Sequence, residues 1–307
     1  MKTLWIDGGT TNTRFSLTQD ETLVTRQTRH VGAANAQATH HNTALRQTVA
    51  GMLAELTAQY GEIDRICISG MITSASGLWE IQPLSGPAGL NDLAHGVQTI
   101  RLPGIASPVY GIPGVCFSET DVMRGEETEL MGSGIQDALF FHFGSHNKAI
   151  LMQDGRITAS CTTLSGELLS AVTCETILRS SVPTDPPETL LEAEVLRGAQ
   201  DAASGGLTRA LFQTRLLTTL SGWSAAQAWS YLYGMTAAQD ILAFQPLLTA
   251  ASAQTIAYGR PQFTQAFSLC LPERRITQIP YGQSELLSLA GMQRIMEAYD
   301  RQKGRME

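Results

Sequence analysis

The chain opens on a short apolar run at residues 2–6. It breaks at Asp7-Gly8-Gly9-Thr10-Thr11-Asn12-Thr13-Arg14 and resumes at 15–18 and 23–29. These read as three strands, and the small polar turn between the first two is what a hairpin requires. Leu45, Val49, Met52, Leu53 and Leu56 recur at spacings of three and four, which predicts a helix over 44–60, with Gly61 as its C-cap. Ile66, Cys67 and Ile68 mark a buried strand over 65–69 that Gly70 closes. Residues 77–115 are rich in Gly and Pro and weakly periodic; they read as an insertion forming a substrate-side flap. A helix is predicted over 122–132, with Thr120 or Asp121 near its N-terminus. Residues 138–143 and 149–152 form a second hairpin around Gly144-Ser145-His146-Asn147, and 156–162 adds a strand. Helices follow at 166–180, 188–203, 206–220 and 224–249, with Pro183, Pro186 and Pro187 separating the first two. A strand at 254–257, a helix at 262–271, a strand at 275–279 and a helix at 284–299 complete the pattern.

The order β-β-β-α-β fits a ribonuclease H-like half, a mixed sheet with helices packed on it. The hairpin at 138–152 opens a second half in the same way. The expected fold is therefore α/β, with two ribonuclease H-like domains: residues 1–120, carrying the insertion, and residues 121–307. The last helix, about 284–300, is a candidate to return to the N-terminal domain. A length of 307 residues agrees with two domains.

Composition narrows the function. Hydrophobic residues make up 43% and charged residues 16%, a globular balance. A net charge of -7 argues against a nucleic-acid backbone as the main partner. A small anionic substrate stays compatible, because a few local cations overrule the global sign. No run approaches the roughly 20 apolar residues of a membrane span. With no secretory leader in the opening pattern, the cytoplasm is the expected location. Five scattered cysteines without a CxxC pair form neither a disulfide framework nor a zinc pattern.

Candidate chemistry lies in the turns. Gly8 and Gly9 let backbone N–H groups approach an oxyanion, and Thr10, Thr11 and Asn12 add neutral donors. Asp7, at a strand end, is placed to hold Mg²⁺, which uses few protein carboxylates and keeps several waters. Arg14 is a permanent fork donor for phosphate. The second turn offers Gly144, Ser145, His146 and Lys148, with a satisfied structural histidine as the competing reading for His146. Asp121, Glu126 and Glu127 place carboxylates at a helix start, where acids also suit the macrodipole. The chemical reading makes Glu126 or Asp121 a general base for a hydroxyl, and Arg124 a receptor for a substrate carboxylate. There is no GxxxxGK[ST] loop, so a triphosphate would be held by the two hairpin turns.

Together these segments resemble the actin-like ATPase and sugar-kinase superfamily, and within it the 2-dehydro-3-deoxygalactonokinase family, over nearly the whole chain. IDGGTTNTR (6–14) resembles the first phosphate turn, SGMITS (69–74) the A-G-M-x-G-S segment, and FHFGSHNK (141–148) the P-G-T-H-x-K second phosphate turn. LSGEL (164–168) resembles T-G-E-L, and DVMRGEETELMG (121–132) is the most specific match. The resemblance implies two lobes with a nucleotide cleft between them and ATP- and Mg²⁺-dependent phosphorylation of 2-dehydro-3-deoxy-D-galactonate at O6, in galactonate breakdown. It implies Asp7 at the metal, and Gly8, Gly9, Thr10, Thr11, Asn12, Arg14, Gly144, Ser145, His146 and Lys148 around phosphates. It places Gly259 in the later nucleotide segment, with Glu126, Asp121 and Arg124 at the acceptor. Three positions depart from the family pattern: Phe143 replaces Pro, Ser69 replaces Ala, and residues 257–261 read Ala-Tyr-Gly-Arg-Pro where A-G-T-S is usual. The alternatives are a nucleotide or polyphosphate hydrolase, or a non-catalytic sugar-acid sensor, on the same fold. Whether the chain forms a homodimer is left open.

Overall fold

The computed structural model describes residues 1–36, 42–101, 105, 107–250 and 254–305. The chain folds into two compact units. One comprises Met1–Gln136, Gln153–Thr158 and Glu285–Glu307; the other comprises Asp137–Met152 and Ala159–Ser284.

The first unit begins with β1 (Lys2–Gly8), β2 (Thr13–Gln19), β3 (Thr22–Arg29), α1 (Thr43–Tyr60) and β4 (Arg65–Gly70). Then come β5 (Leu84–Ser85), β6 (Ala88–Gly89), α2 (Leu90–His95), β7 (Gln98–Ile100), β8 (Val109–Gly111), β9 (Val115–Phe117), β10 (Asp121–Met123) and α3 (Glu126–Ser133). Its main sheet runs β3-β2-β1-β4-β8-β7. β1 is antiparallel to β2 and parallel to β4, and β4 is parallel to β8. Leu4, Ile6, Phe15, Leu17, Ile66 and Ile68 of the sheet bury against Leu45, Val49, Met52 and Leu56 of α1. This is the spacing that predicted the helix, and Asn42 caps it by accepting from the Leu45 N–H.

Two features differ from the sequence reading. Within 77–115, Val109–Gly111 is a strand of the main sheet beside β4, so that stretch supplies scaffold as well as surface. Residues 102–104 and 106 of it lie outside the described residues. The helix predicted from 122 begins only at Glu126, because Gly125 has φ +117°, which no right-handed helix contains. Asp121–Met123 instead pairs antiparallel with Val115–Phe117.

The second unit contains β11 (Ala138–Phe143), β12 (Asn147–Gln153), the greater part of β13 (Arg156–Thr163), α4 (Ser165–Glu175), α5 (Glu192–Gly205), α6 (Leu207–Leu220), α7 (Ala225–Ala250), β14 (Thr255–Gly259), α8 (Pro261–Cys270) and β15 (Ile276–Gln278). The sheet order is β15-β14-β11-β12-β13. Phe141 and Phe143 of β11 pack on Phe263 and Phe267 of α8 and Phe244 of α7, with ring centroids 4.5–6.4 Å apart. These rings anchor the strand that ends in the second turn.

The last helix, α9 (Tyr281–Lys303), contributes its residues from Glu285 onward to the first unit. Ser288, Met292, Ile295, Met296 and Tyr299 form its buried face, and Asp300 accepts two hydrogen bonds from the buried Arg65 at 2.8 and 2.9 Å. Among the described residues no helix is long and apolar enough to cross a membrane.

Candidate active site

In the first unit the site is built where three backbone segments meet without side chains between them. β1 ends at Gly8 and β2 starts at Thr13, in a register that sets Asp7 opposite Arg14. Gly9 N–H closes the turn on the Asn12 carbonyl at 2.8 Å. The N–H groups of Ala33 and Ala34 donate to the carbonyls of Gly9 and Thr10, holding the tip from outside. A Cβ on Gly8 would lie 2.5 Å from Ile72 Cβ, so packing against Ile72 demands this glycine, independently of any ligand. Thr11 is exposed, while Asn12 is half-buried and its side-chain oxygen lies 2.8 Å from His30 Nδ1.

Gly70 ends the neighbouring strand with φ +84°; a Cβ there would lie 2.6 Å from the Gly8 carbonyl and 3.3 Å from Asp7 Oδ1. A Cβ on Gly125 would in turn lie 3.5 Å from Gly70 Cα. The seam Gly8–Gly70–Gly125 therefore brings Asp7 and the start of α3 together. Ser69 and Thr128 join across it through their hydroxyls at 3.1 Å, both fully buried. On its other side α3 lies directly on α9: a Cβ on Gly132 would meet the Leu287 carbonyl at 2.0 Å, and one on Gly291 the Thr128 carbonyl at 1.7 Å.

Asp7 is largely buried, with Arg14 Nη1 at 3.3 Å. Burial pushes its carboxyl above the usual range, against the pull of Arg14. Arg14 also reaches Glu285 at 3.7 Å, so its fork already spans two carboxylates. Among the described residues no three His, Cys, Asp or Glu side chains form a metal cage. A lone carboxylate whose Oδ1 faces the missing Cβ of Gly70 does fit an ion that takes one protein oxygen, with substrate oxygens and water supplying the rest.

At the tip of α3 both glutamates turn back on their own backbone. Glu127 accepts from Gly125 N–H through both oxygens at 2.9 and 2.8 Å, and Glu126 accepts from Arg124 N–H at 3.2 Å. This is helix capping from within the first turn. Glu127 is 1% exposed, and burial together with the neighbouring Glu126 pushes its carboxyl up to about 8. Glu126, at 9%, is the more accessible of the two. Arg124 Nη1 donates to the carbonyls of Thr73 and Ile81, both at 2.8 Å, so one arm of its fork is structural. Asp121 belongs to β10 and not to the helix, and its side chain accepts from the Val122 N–H at 2.9 Å.

In the second unit, β11 and β12 flank the turn at 144–146. Asn147 closes it, its side-chain oxygen accepting from Gly144 N–H at 3.2 Å. The first turn of α4 rests on the turn's carbonyls: a Cβ on Gly166 would lie 2.0 Å from the Gly144 oxygen, and Glu167 N–H donates to Ser145 at 2.9 Å. His146 Nε2 lies 3.3 Å from Glu167 Oε1. Lys148 is 4% exposed and lies opposite His142 in the ladder. Gly259 ends β14 with φ +105°, where a Cβ would strike the Phe143 carbonyl at 2.1 Å. Next to it Arg260 borders a cleft of about 780 Å³, whose lining includes Gly166, Asp185, Trp229 and Tyr233.

Sequence reasoning passed over three residues that shape these turns. Gly70 and Gly166 lie within quoted motifs, and their small size next to a strand end or helix start is the available signal. Asp240 had none: it is a single acid inside an apolar helix, yet it is fully buried and bonded to Asn147.

A model of the 2-keto-3-deoxy-galactonokinase family matches residues 7–295. The 2-dehydro-3-deoxygalactonokinase of Escherichia coli (strain K12) is 27% identical over 273 residues, covering 85% of this chain and 88% of that one. A candidate 2-dehydro-3-deoxygalactonokinase from Sinorhizobium meliloti has a solved structure with TM-score 0.77 and 23% identity, covering 96% of this chain and 98% of that one. The activator of the 2-hydroxyisocaproyl-CoA dehydratase from Clostridium difficile, solved with bound ADPNP, gives TM-score 0.52 at 12% identity, covering 99% and 98%. These structural likenesses show the fold alone, an α/β fold shared with both proteins over nearly their whole lengths.

Proposed function

The chain belongs to the 2-keto-3-deoxy-galactonokinase family, and on that premise we propose that it transfers the γ-phosphate of ATP to O6 of 2-dehydro-3-deoxy-D-galactonate, in galactonate breakdown in the cytoplasm. The observation that supports this reading is the glycine seam Gly8–Gly70–Gly125, along which the strand end carrying Asp7 and the backbone at the start of α3 approach each other. Phosphoryl transfer needs little covalent chemistry from the protein; it needs positioned charge beside a positioned hydroxyl. A strand-end carboxylate for a phosphate-bound cation and a buried acid for the acceptor are those two parts.

Glu126 is assigned as the base. It orients the acceptor hydroxyl and takes its proton late in the transfer. It is preferred to Asp121, which belongs to β10 and not to the helix. Arg124 meets the sugar-acid carboxylate with the part of its fork beyond Nη1. Gly8, Gly9, Thr10, Thr11 and Asn12 offer donors to phosphate oxygens, with Arg14 behind them. Gly144, Ser145, His146 and Lys148 are donors of the same kind on the second unit's own turn, and Gly259 ends the strand beside it. Asp7 would hold Mg²⁺, which when bound neutralises phosphate charge. Five free cysteines suit a reducing compartment.

ADP release, measured with and without 2-dehydro-3-deoxy-D-galactonate, tests the reading. Release that depends on the sugar acid is expected. Release without acceptor makes the protein a hydrolase, and no release with a sugar-acid-dependent thermal shift makes it a sensor.

A further inference from the structure

The second turn is held by a buried carboxyl group that lies outside it. Asp240, on α7, is fully buried, and three neutral donors converge on it. Asn147 Nδ2 donates to Oδ2 at 2.8 Å; the hydroxyls of Thr163 and Ser165 donate to Oδ1 at 2.6 and 2.5 Å. Ser165 lies in the first turn of α4, whose positive end favours an anion there. The carboxylate thus ties together the end of β13, the start of α4 and the start of β12, the three segments around the turn.

The consequence lies in the Asn147 amide. Its NH₂ faces Asp240 Oδ2, so its oxygen faces Gly144, whose N–H it accepts at 3.2 Å. We propose that Asp240 is a positioning residue for ATP: by fixing the orientation of the Asn147 amide it pre-forms the 144–148 turn, and so sets the phosphate contacts of Ser145 and Lys148. A leucine at 240 would leave the Asn147 NH₂ without its acceptor. Asn147 would then be free to rotate and bring its NH₂ against the Gly144 N–H. The inference rests on the kinase reading for its ligand, though not for its geometry.

The test compares Asp240→Leu with wild type in two measurements. Amide hydrogen exchange of the peptide containing Gly144 reports the turn without any turnover. Steady-state kinetics report KM for ATP and for the sugar acid separately. Expected are faster exchange at Gly144 and a KM for ATP raised about tenfold, the scale of one lost charge-assisted hydrogen bond, with KM for the sugar acid unchanged. The swap Asn147→Asp with Asp240→Asn keeps donor-to-acceptor matching at every link, and should keep slow exchange. If Asp240→Leu does not fold, Asn147→Ala removes the same link and should raise KM for ATP alone. Unchanged exchange at Gly144, or both KM values rising together, overturns the proposal. Faster exchange in the variant, with a wild type that has no ATP turnover, overturns the kinase reading and leaves the positioning role standing.

Discussion

The two turns offer the same kinds of donor and are held in opposite ways. The turn at 8–12 is fixed by main chain: Gly9 on Asn12, Ala33 and Ala34 on its carbonyls, and glycines that let Ile72 and Gly70 approach. Its one carboxylate, Asp7, is balanced by Arg14. The turn at 144–147 has a main-chain brace in Glu167 N–H on Ser145, but it is closed by a side chain, through Asn147 to a carboxyl group 93 residues away that is held by neutral donors. A turn braced by backbone keeps its shape through most side-chain changes and breaks when a Cβ is added. A turn braced by a buried polar network breaks when one partner is changed, because the remaining groups are left unsatisfied in a low-dielectric interior.

This contrast can be sharpened or broken by substitution. The largest effect belongs to the chemistry set by the first unit. Glu126→Gln should lower kcat by about 10²–10⁴, the usual worth of a general base, with KM values little changed. Asp121→Asn should stay close to wild type, and equal losses in both variants would remove the assignment to Glu126. Next come the glycines. Gly166→Ala forces a methyl onto a backbone carbonyl that cannot yield, and should cost about 1–3 kcal/mol, seen as a lower thermal midpoint. Gly8→Ala meets Ile72 Cβ at 2.5 Å, a smaller overlap than the 2.0 Å at Gly166, so its loss should be smaller. A reversed order would show that the first turn is the more rigid.

A separate effect is a pH dependence. Glu127 has an ordinary value near 4.5 in the unfolded chain and about 8 when folded. Between those values the folded state binds the extra proton, so this group's contribution to stability is full below about 4.5 and is lost as pH rises through about 8. Glu127→Gln should flatten the fall of the melting temperature over that window. An identical slope in the variant would place the titration elsewhere.

What the sequence made legible follows from how locally each feature is determined. The hairpins, α1 and the helices of the second unit carry their own periodicity, and DVMRGEETELMG and IDGGTTNTR carry unusual residues in fixed order. β8 is three residues long, too short for a period, and its place beside β4 comes from the sheet. The start of α3 depends on the positive φ of Gly125, which a periodic reading treats as an ordinary helical glycine. Arg124 was picked out for its charge, yet one arm of its fork serves Thr73 and Ile81, partners set by the fold. Gly8 was singled out for a ligand's approach, while the structure requires it for Ile72. Asp240 was invisible for the same reason: nothing near it in the chain explains why an acid interrupts an apolar helix.

The central claim is phosphoryl transfer to a sugar acid. The most direct measurement is ³¹P NMR of the product formed from ATP, Mg²⁺ and 2-dehydro-3-deoxy-D-galactonate. The account predicts a new phosphomonoester resonance coupled to the two protons on C6, growing in step with ADP. Growth of inorganic phosphate alone, or of an ester coupled to protons on another carbon, would contradict it.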